Sequence, residues 1–293
     1  MTRSGFVALA GRPNVGKSTF VNLVVGDKVA IVSDRPQTTR RALRGVRCRG
    51  DCEIVFVDLP GVQRPRDALT ARMAQRVREE LAGADAALLM LNGEQDVGAG
   101  DRFIARALAG GALPVTVVVN KVDRLPRRAA VAALARAAEL HPEWEVFPVS
   151  ARTGEGVEAL LEHLQRQMPE GPFMYAEGAT SDQRPELLLA ELVREAVIVR
   201  TFQELPHAVE VLVEELERPR TGVVRVRALI WVETESQKRI MIGAGGRMIS
   251  AIGTAARKEL ERELDARVHL DLTVRVRPRW RADDALLDRL GIT

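Results

Sequence analysis

The chain has 293 residues, 46% of them hydrophobic and 28% charged, enough apolar material for a sizeable core and a length suited to about two domains. Only two cysteines occur, which excludes a disulfide framework and fits a reducing cytoplasm. No apolar run approaches the ~18 residues of a membrane span, so neither secretion nor a transmembrane segment is expected.

From residue 4 to 168, short apolar runs alternate with helical patterns. The strand candidates are "FVALA", "ALRGVRC", "EIVFVD", "AALLML", "PVTVVVN" and "WEVFPVS". Between them, "KSTFVNLVVG", "TARMAQRVREELAG", "DRFIARALAGG", "RRAAVAALARAAEL" and "GVEALLEHLQRQM" carry helix periodicity. Continuous apolar strands separated by helices predict a doubly wound, mostly parallel six-stranded α/β sheet. The second and third strands join through "CRGDC", so one antiparallel edge strand is expected; Cys48 and Cys52 there lack the spacing and partners of a zinc site. "MPEGPFMYAEGATSDQRPEL" then breaks every periodicity. The expected division is a first domain over 1–170, a linker over 171–184 and a second domain over 185–293, whose pattern reads α-β-β-α-α-β before a short tail.

The first candidate site is "GRPNVGKST", Gly11, Arg12, Pro13, Asn14, Val15, Gly16, Lys17, Ser18 and Thr19, placed between a strand and a helix. Its glycines let backbone N–H groups curl around phosphate oxygens, and the helix N-terminus adds its positive end. Lys17 can reach the β- and γ-phosphates and the Ser18 hydroxyl can hold Mg²⁺. "DLPG" (Asp58, Leu59, Pro60, Gly61) ends the third strand, where the carboxylate can hold Mg²⁺ through water and the Gly61 N–H can meet the γ-phosphate. "NKVD" ends the fifth: Asp123 suits the N1–H and N2–H₂ donors of guanine, Asn120 would brace the loops, and the Lys121 stem would cover the ring. "SAR" (Ser150, Ala151, Arg152) follows the sixth strand and offers the Ala151 N–H to guanine O6. All four elements fall at C-terminal strand ends, where such sheets bind ligands.

These residues resemble the translation-factor-related branch of P-loop GTPases, which implies GTP and GDP as ligands and GTP hydrolysis as the activity. In that family the first switch lies where this chain has "PQTTR" (36–40), so the resemblance gives Thr39 the role of Mg²⁺ ligand and γ-phosphate sensor, with Thr38 the second choice. Many hydrolytic switches place a glutamine after the glycine of Asp-x-x-Gly to aim the attacking water. Here that position holds Val62, with Gln63 one place late, so slow intrinsic turnover with backbone-positioned water is expected. In related proteins with "PNVGKS" the asparagine helps hold K⁺ against the phosphates; the resemblance extends that role to Asn14, whose cation would stand in for an arginine finger.

In the second domain "SQKRIMIGAGGRMISAIG" contains Ile-Gly-x-x-Gly between two helical patterns, the mark of a KH domain, and the element order is that of its type II form. Gly243, Ala244, Gly245 and Gly246 would let an RNA backbone approach closely. Ile240, Ile242, Ile249 and Ile252 fit an apolar groove floor, framed by Lys238, Arg239, Arg247 and Lys258. The loop lacks the lysine that often grips phosphate. The charge supports an RNA face: residues 236–281 hold eleven Lys/Arg against five Asp/Glu, whereas residues 182–235 hold seven against eleven. Trp280, between two arginines, reads either as a base-stacking side chain or as an anchor for the terminal segment.

A GTPase with "PQTTR" and "DLPG" followed by a type II KH domain resembles the Era family along essentially the whole chain. The resemblance implies binding of small-subunit (16S) ribosomal RNA near its 3′ end and a role in 30S assembly, with nucleotide state gating the KH surface. It also implies a cytoplasmic monomer that does not bind DNA, and a peripheral inner-membrane association. The rival reading is a passive RNA-binding scaffold whose nucleotide only stabilises the fold. A GTP-dependent RNA-modifying enzyme has no support, because His141, His163, His207 and His269 are scattered and no nucleophile or metal cluster accompanies them.

Overall fold

The structure, a computed structural model, describes residues 1–35, 38–61 and 67–292. Its first module contains β1 (Arg3–Gly11), α1 (Lys17–Val25), β2 (Leu43–Arg49), β3 (Cys52–Asp58), α2 (Ala68–Ala82), β4 (Ala86–Asn92), α3 (Ala99–Ala109), β5 (Val115–Asn120), α4 (Arg127–Ala138), β6 (Val146–Val149) and α5 (Val157–Gln167). The sheet order is β2-β3-β1-β4-β5-β6, and only β2 and β3 pair antiparallel, as the hairpin sequence predicts. The continuous apolar runs of β3, β4 and β5 are buried along their whole length because helices cover both faces. Phe20 and Val24 of α1 and Leu160 and Leu164 of α5 pack on one face. Ile104 of α3 and Ala133 of α4 pack on the other, where Val77 of α2 also lies.

The second module has α6 (Pro185–Arg200), α7 (Leu205–Ala208), β7 (Glu210–Arg220), β8 (Val223–Val232), α8 (Glu235–Ile242), α9 (Arg247–Leu264), β9 (Arg267–Val276) and α10 (Asp284–Arg289). The expected α-β-β-α-α-β order is present, with the short α7 and α10 added. β7 and β8 pair antiparallel, and β8 and β9 pair parallel. One face of this sheet is covered by α6 and α9, through Leu192, Val193, Val197, Ala256 and Leu260. The other face carries Leu229 and Trp231 of β8, which pack on Trp280, Leu287, Leu290 and Ile292 from the C-terminal segment and on Leu69 and Met73 of α2. The two modules thus share a core.

Trp280 is fully buried, and its Nε1 donates to Ala208 O at 2.9 Å. Of its two sequence readings, the anchor is the one seen. The connecting segment, whose composition reads as a linker, is also tied down. Glu53 of β3 is fully buried, and its carboxylate accepts from Ser4 Oγ (2.9 Å) and from the backbone N–H groups of Met174 (2.8 Å) and Tyr175 (3.2 Å). A buried carboxylate needs such donors, and the segment supplies them. Further along, Val46 N–H donates to Thr180 O at 2.9 Å and Ser181 bridges Gly45 in antiparallel fashion.

Candidate functional site

The loop from Gly11 to Gly16 leaves β1 and turns into α1. Gly16 caps that helix at φ 102°, and a Cβ there would stand 2.2 Å from Asn120 Nδ2. Only glycine fits so tight an approach. Lys17 is buried; its Nζ donates to the carbonyls of Gly11 (3.3 Å) and Arg12 (3.2 Å), which folds it back over the loop. Burial lowers the Lys17 ammonium, and neighbouring Asp58 partly restores it. In the same pair, burial raises the Asp58 carboxyl, against Lys17 and the hydroxyls of Ser18 and Thr39.

Those hydroxyls converge on one oxygen. Ser18 Oγ lies 2.5 Å and Thr39 Oγ1 3.3 Å from Asp58 Oδ2, and the two hydroxyls are 3.0 Å apart. Asp58 Oδ1 is buried and has no hydrogen-bond partner among the described residues. One carboxylate and two hydroxyls form a hard oxygen set suited to Mg²⁺, which usually takes its remaining ligands from water and phosphate. Among the described residues no cluster of three or more His, Cys, Asp or Glu competes for a metal. Gly61 closes the opposite side, so near the loop that a Cβ would meet Pro13 Cγ at 2.7 Å. The resulting open cleft is lined by Asn14, Lys17, Ser18, Thr19, Thr39 and Gly61.

Asn14 is exposed, sits at φ 64° and donates Nδ2 to Asp34 O at 2.6 Å. Arg12 turns away to Asp101 (2.9 Å) and Gln95 (2.8 Å), while Leu59 and Val15 are core side chains, so these three can face a ligand only through backbone. Pro60 is buried. Val62 and Gln63, like Pro36 and Gln37, lie outside the described residues.

At the far end, Asn120 braces three loops. Its Nδ2 donates to Val15 O (2.7 Å), and its Oδ1 accepts from the N–H groups of Lys121 (2.8 Å) and Ala151 (2.9 Å). The Ala151 N–H read for guanine O6 is therefore already engaged. Asp123 accepts from Ser150 Oγ at 2.6 Å and from Arg152 at 2.5 Å. The Ser150 hydroxyl, then Arg152, holds the Asp123 carboxyl below its ordinary range. Lys121 stands at φ 70° with Nζ 3.6 Å from Glu94.

In the second module Thr234 caps α8, and Gly243 ends it at φ 73°. A Cβ at Gly243 would meet Met248 Cβ at 2.7 Å, whereas Gly245 (φ 60°) and Gly246 (φ 77°) open to space beside the N-terminus of α9. Ala244 and Gly245 are exposed, and Arg247 curls back to donate to Ala244 O at 3.2 Å. The isoleucines divide: Ile242 and Ile249 are partly buried against the core, Ile240 is 56% exposed, and Ile252 is fully buried. Ile240, Ile242 and Ile249 thus stay at least partly accessible, whereas Ile252 belongs to the core beneath, one helical turn deeper. Among the described residues Lys238, Arg239 and Lys258 form no ion pair, leaving their charges available.

The model of the 50S ribosome-binding GTPases matches residues 6–121 and that of the KH domain matches residues 204–281. The GTPase Era of Mycobacterium tuberculosis is 43% identical over 98% of both chains, and that of Mycolicibacterium smegmatis 41% over 99% of this chain and 98% of the relative. The chain belongs to the Era GTPase family. A crystal structure of Era in complex with MgGDPNP and nucleotides 1506–1542 of 16S ribosomal RNA matches it with a TM-score of 0.96 at 32% identity, over the full length of both chains. An Aquifex aeolicus Era variant bound to GDP and AlF₄⁻ matches equally well. Like its relatives, this Era chain is a GTPase with a P-loop domain and a C-terminal KH domain.

What the sequence of this Era protein does not disclose is where "TTRR" leads. Arg40 is buried and reaches across to the KH module, with Nη1 2.6 Å from Val209 O and 2.7 Å from Glu210. Arg41 contacts Glu191 and Leu290 O, the latter at 2.7 Å. A readable signal existed: Glu210 interrupts the apolar run "AVEVLV", and an acid at such a position calls for a cation.

Proposed function

We propose that this Era chain is a GTP-driven switch that binds 16S ribosomal RNA near its 3′ end through the KH groove and acts in 30S subunit assembly. The observation that carries this reading is one short segment. Thr39 lies on Ser18 and Asp58, and the next residue, Arg40, is buried against the KH module. A change in Thr39 on loss of the γ-phosphate would therefore be felt directly by the RNA-binding module. The RNA-bound relative with the same arrangement of both modules supports the choice of RNA.

In this reading Lys17 binds the β- and γ-phosphates, the glycine loop holds the phosphate chain, and the Gly61 N–H meets the γ-phosphate. Ser18, Thr39 and Asp58 would hold Mg²⁺, whose charge would offset that of the phosphates. Asp123 would accept from guanine N1–H and N2–H₂ while Asn120 keeps the loops in register. Val62 stands where the water-aiming glutamine is usual, so water would be oriented by backbone and turnover would be slow. Asn14 Nδ2 is engaged by Asp34 O, and no described residue donates to its Oδ1, which supports that oxygen as a K⁺ ligand. The chain would act as a monomer. Any contact with the inner membrane would be peripheral, because no described helix is long and apolar enough to cross a bilayer.

Two measurements test the reading. Affinity for a 16S 3′-end RNA fragment should rise with a non-hydrolysable GTP analogue relative to GDP, and Gly243→Asp should abolish the binding while hydrolysis persists. Equal affinity in both nucleotide states would favour the passive scaffold. Hydrolysis should be faster in K⁺ than in Na⁺ and lose that difference in Asn14→Ala; equal rates in the two salts would end the K⁺ assignment.

A further inference from the structure

Thr39 is held on both sides from outside its own domain. Before it, Thr38 O accepts from Arg194 of α6. After it, the Arg40 guanidinium donates to Val209 O (2.6 Å), His207 O (3.0 Å) and Glu210 (2.7 Å), and lies 5.5 Å from the Trp280 ring centroid. Arg41 donates to Glu191, to Glu210 (3.3 Å) and to Leu290 O (2.7 Å). Three residues around Thr39, at 38, 40 and 41, are therefore anchored by the KH module and the C-terminal segment.

The two carboxylates hold this arrangement together. Glu191 and Glu210 are 4% and 0% exposed, and between them they contact Arg40, Arg41 and Arg194, all buried. Three guanidinium groups share two carboxylates, and among the described residues Arg40 Nε and Arg194 Nη1 have no partner. Nothing in the network is spare. Removal of either carboxylate leaves buried cations beside Thr39 uncompensated.

We propose that Glu210 and Glu191 of the KH module act as positioning residues for GTP hydrolysis, fixing Arg40 and Arg41 so that Thr39 is presented to the metal site formed with Ser18 and Asp58. The KH module then serves the GTPase in cis, beyond its own binding of RNA. The reason is entropic: a segment ordered before the triphosphate arrives need not be ordered by it, and the reacting geometry is held in advance. Neither carboxylate lines the cleft beside Ser18 and Thr39. The inference rests on Thr39 being a ligand of the metal that accompanies the triphosphate.

The test uses the full chain and compares Glu210→Gln, Glu191→Gln, Arg40→Lys and Thr39→Ala with the parent. Steady-state hydrolysis is measured across Mg²⁺ concentration, and the affinities for GDP and for GDPNP are measured by fluorescence titration. Both glutamine variants should lower kcat by about 10- to 100-fold, raise the Mg²⁺ needed for half-maximal rate, and weaken GDPNP while GDP affinity changes by less than about twofold. Arg40→Lys keeps the charge but loses the fork, and should show the same split to a smaller degree. Parent-like kcat in Glu210→Gln with GDP affinity intact, while Thr39→Ala is impaired, overturns the positioning role alone. Parallel loss of GDP binding in Glu210→Gln and Arg40→Lys makes the contacts structural and also overturns it. Parent-like kcat in Thr39→Ala removes the metal-ligand reading, and the proposal with it.

Discussion

Arg40 of the GTPase domain and Glu210 of the KH domain meet at 2.7 Å with both side chains out of contact with solvent. Burial alone would raise the Glu210 carboxyl, but Arg41, Arg40 and Arg194 outweigh it and bring it down to about 2, from an ordinary value of 4.5. A carboxyl lower in the folded than in the unfolded chain adds stability that is fully present above about pH 4.5 and is lost as pH falls towards 2. Urea unfolding from pH 6 to pH 2.5 should therefore show a steeper decline for the parent than for Glu210→Gln. Parallel declines would mean that Glu210 does not carry its charge in the way this contact requires.

The nucleotide loop offers a sharper steric test. At Gly16 a side chain would collide with the Asn120 amide at 2.2 Å and would have to adopt φ 102°. Asn120 cannot withdraw freely, because it holds Val15 O, the Lys121 N–H and the Ala151 N–H. Gly16→Ala should weaken GDP binding by at least about 100-fold, since it disturbs phosphate and base contacts together. Calorimetric titration with GDP measures this, and circular dichroism checks that the fold is kept. An affinity within a few fold of the parent would contradict the arrangement at Asn120.

These two sites differ in how much of them could be read before the structure. Gly16, Lys17, Asn120 and Asp123 belong to short motifs whose chemistry is set by backbone shape and immediate neighbours, so local sequence carries them. The mostly parallel six-stranded sheet with one antiparallel pair followed from the same source, because apolar runs separated by helices admit few topologies. Arg40 and Glu210 lie 170 positions apart, and neither has a local pattern that names its partner. Trp280 shows the same limit: flanking arginines suit an RNA stack, yet the ring is consumed by Ala208 O, Arg40 and the shared core. Ile252 lies in the core and not on the expected groove floor for a smaller reason: helical spacing gives a face but not its depth. The contacts of the connecting segment are not legible because Pro, Gly and polar residues break periodicity, while Glu53, which holds it, lies inside a strand.

Base choice should follow the Asp123 carboxylate. Ser150 and Arg152 keep it ionised and aimed, as a double acceptor for guanine must be. Asp123→Asn replaces one acceptor by a donor, which mismatches guanine N2–H₂ and matches the 2-oxo group of xanthine. Competition between GDP and XDP should invert, with a change in relative affinity of at least about 100-fold. Preference for GDP surviving in the variant would move guanine recognition away from Asp123.

Coupling between the domains should be separable from RNA contact at Trp280. The ring fills the space between Leu69 and Met73 of α2, the KH strand β8 and the C-terminal segment, and its Nε1 satisfies Ala208 O. Trp280→Ala should cost about 3–5 kcal/mol by cavity formation and leave that carbonyl unpaired. Trp280→Phe keeps most of the packing and loses only the hydrogen bond, about 1 kcal/mol. Because the ring is buried away from the Gly243–Gly246 loop, affinity for 16S 3′-end RNA without nucleotide should stay close to that of the parent in both variants. The increase produced by a GTP analogue should shrink in Trp280→Ala and largely persist in Trp280→Phe. Loss of nucleotide-free RNA affinity in both, with unfolding temperatures unchanged, would instead restore Trp280 as an RNA-stacking residue.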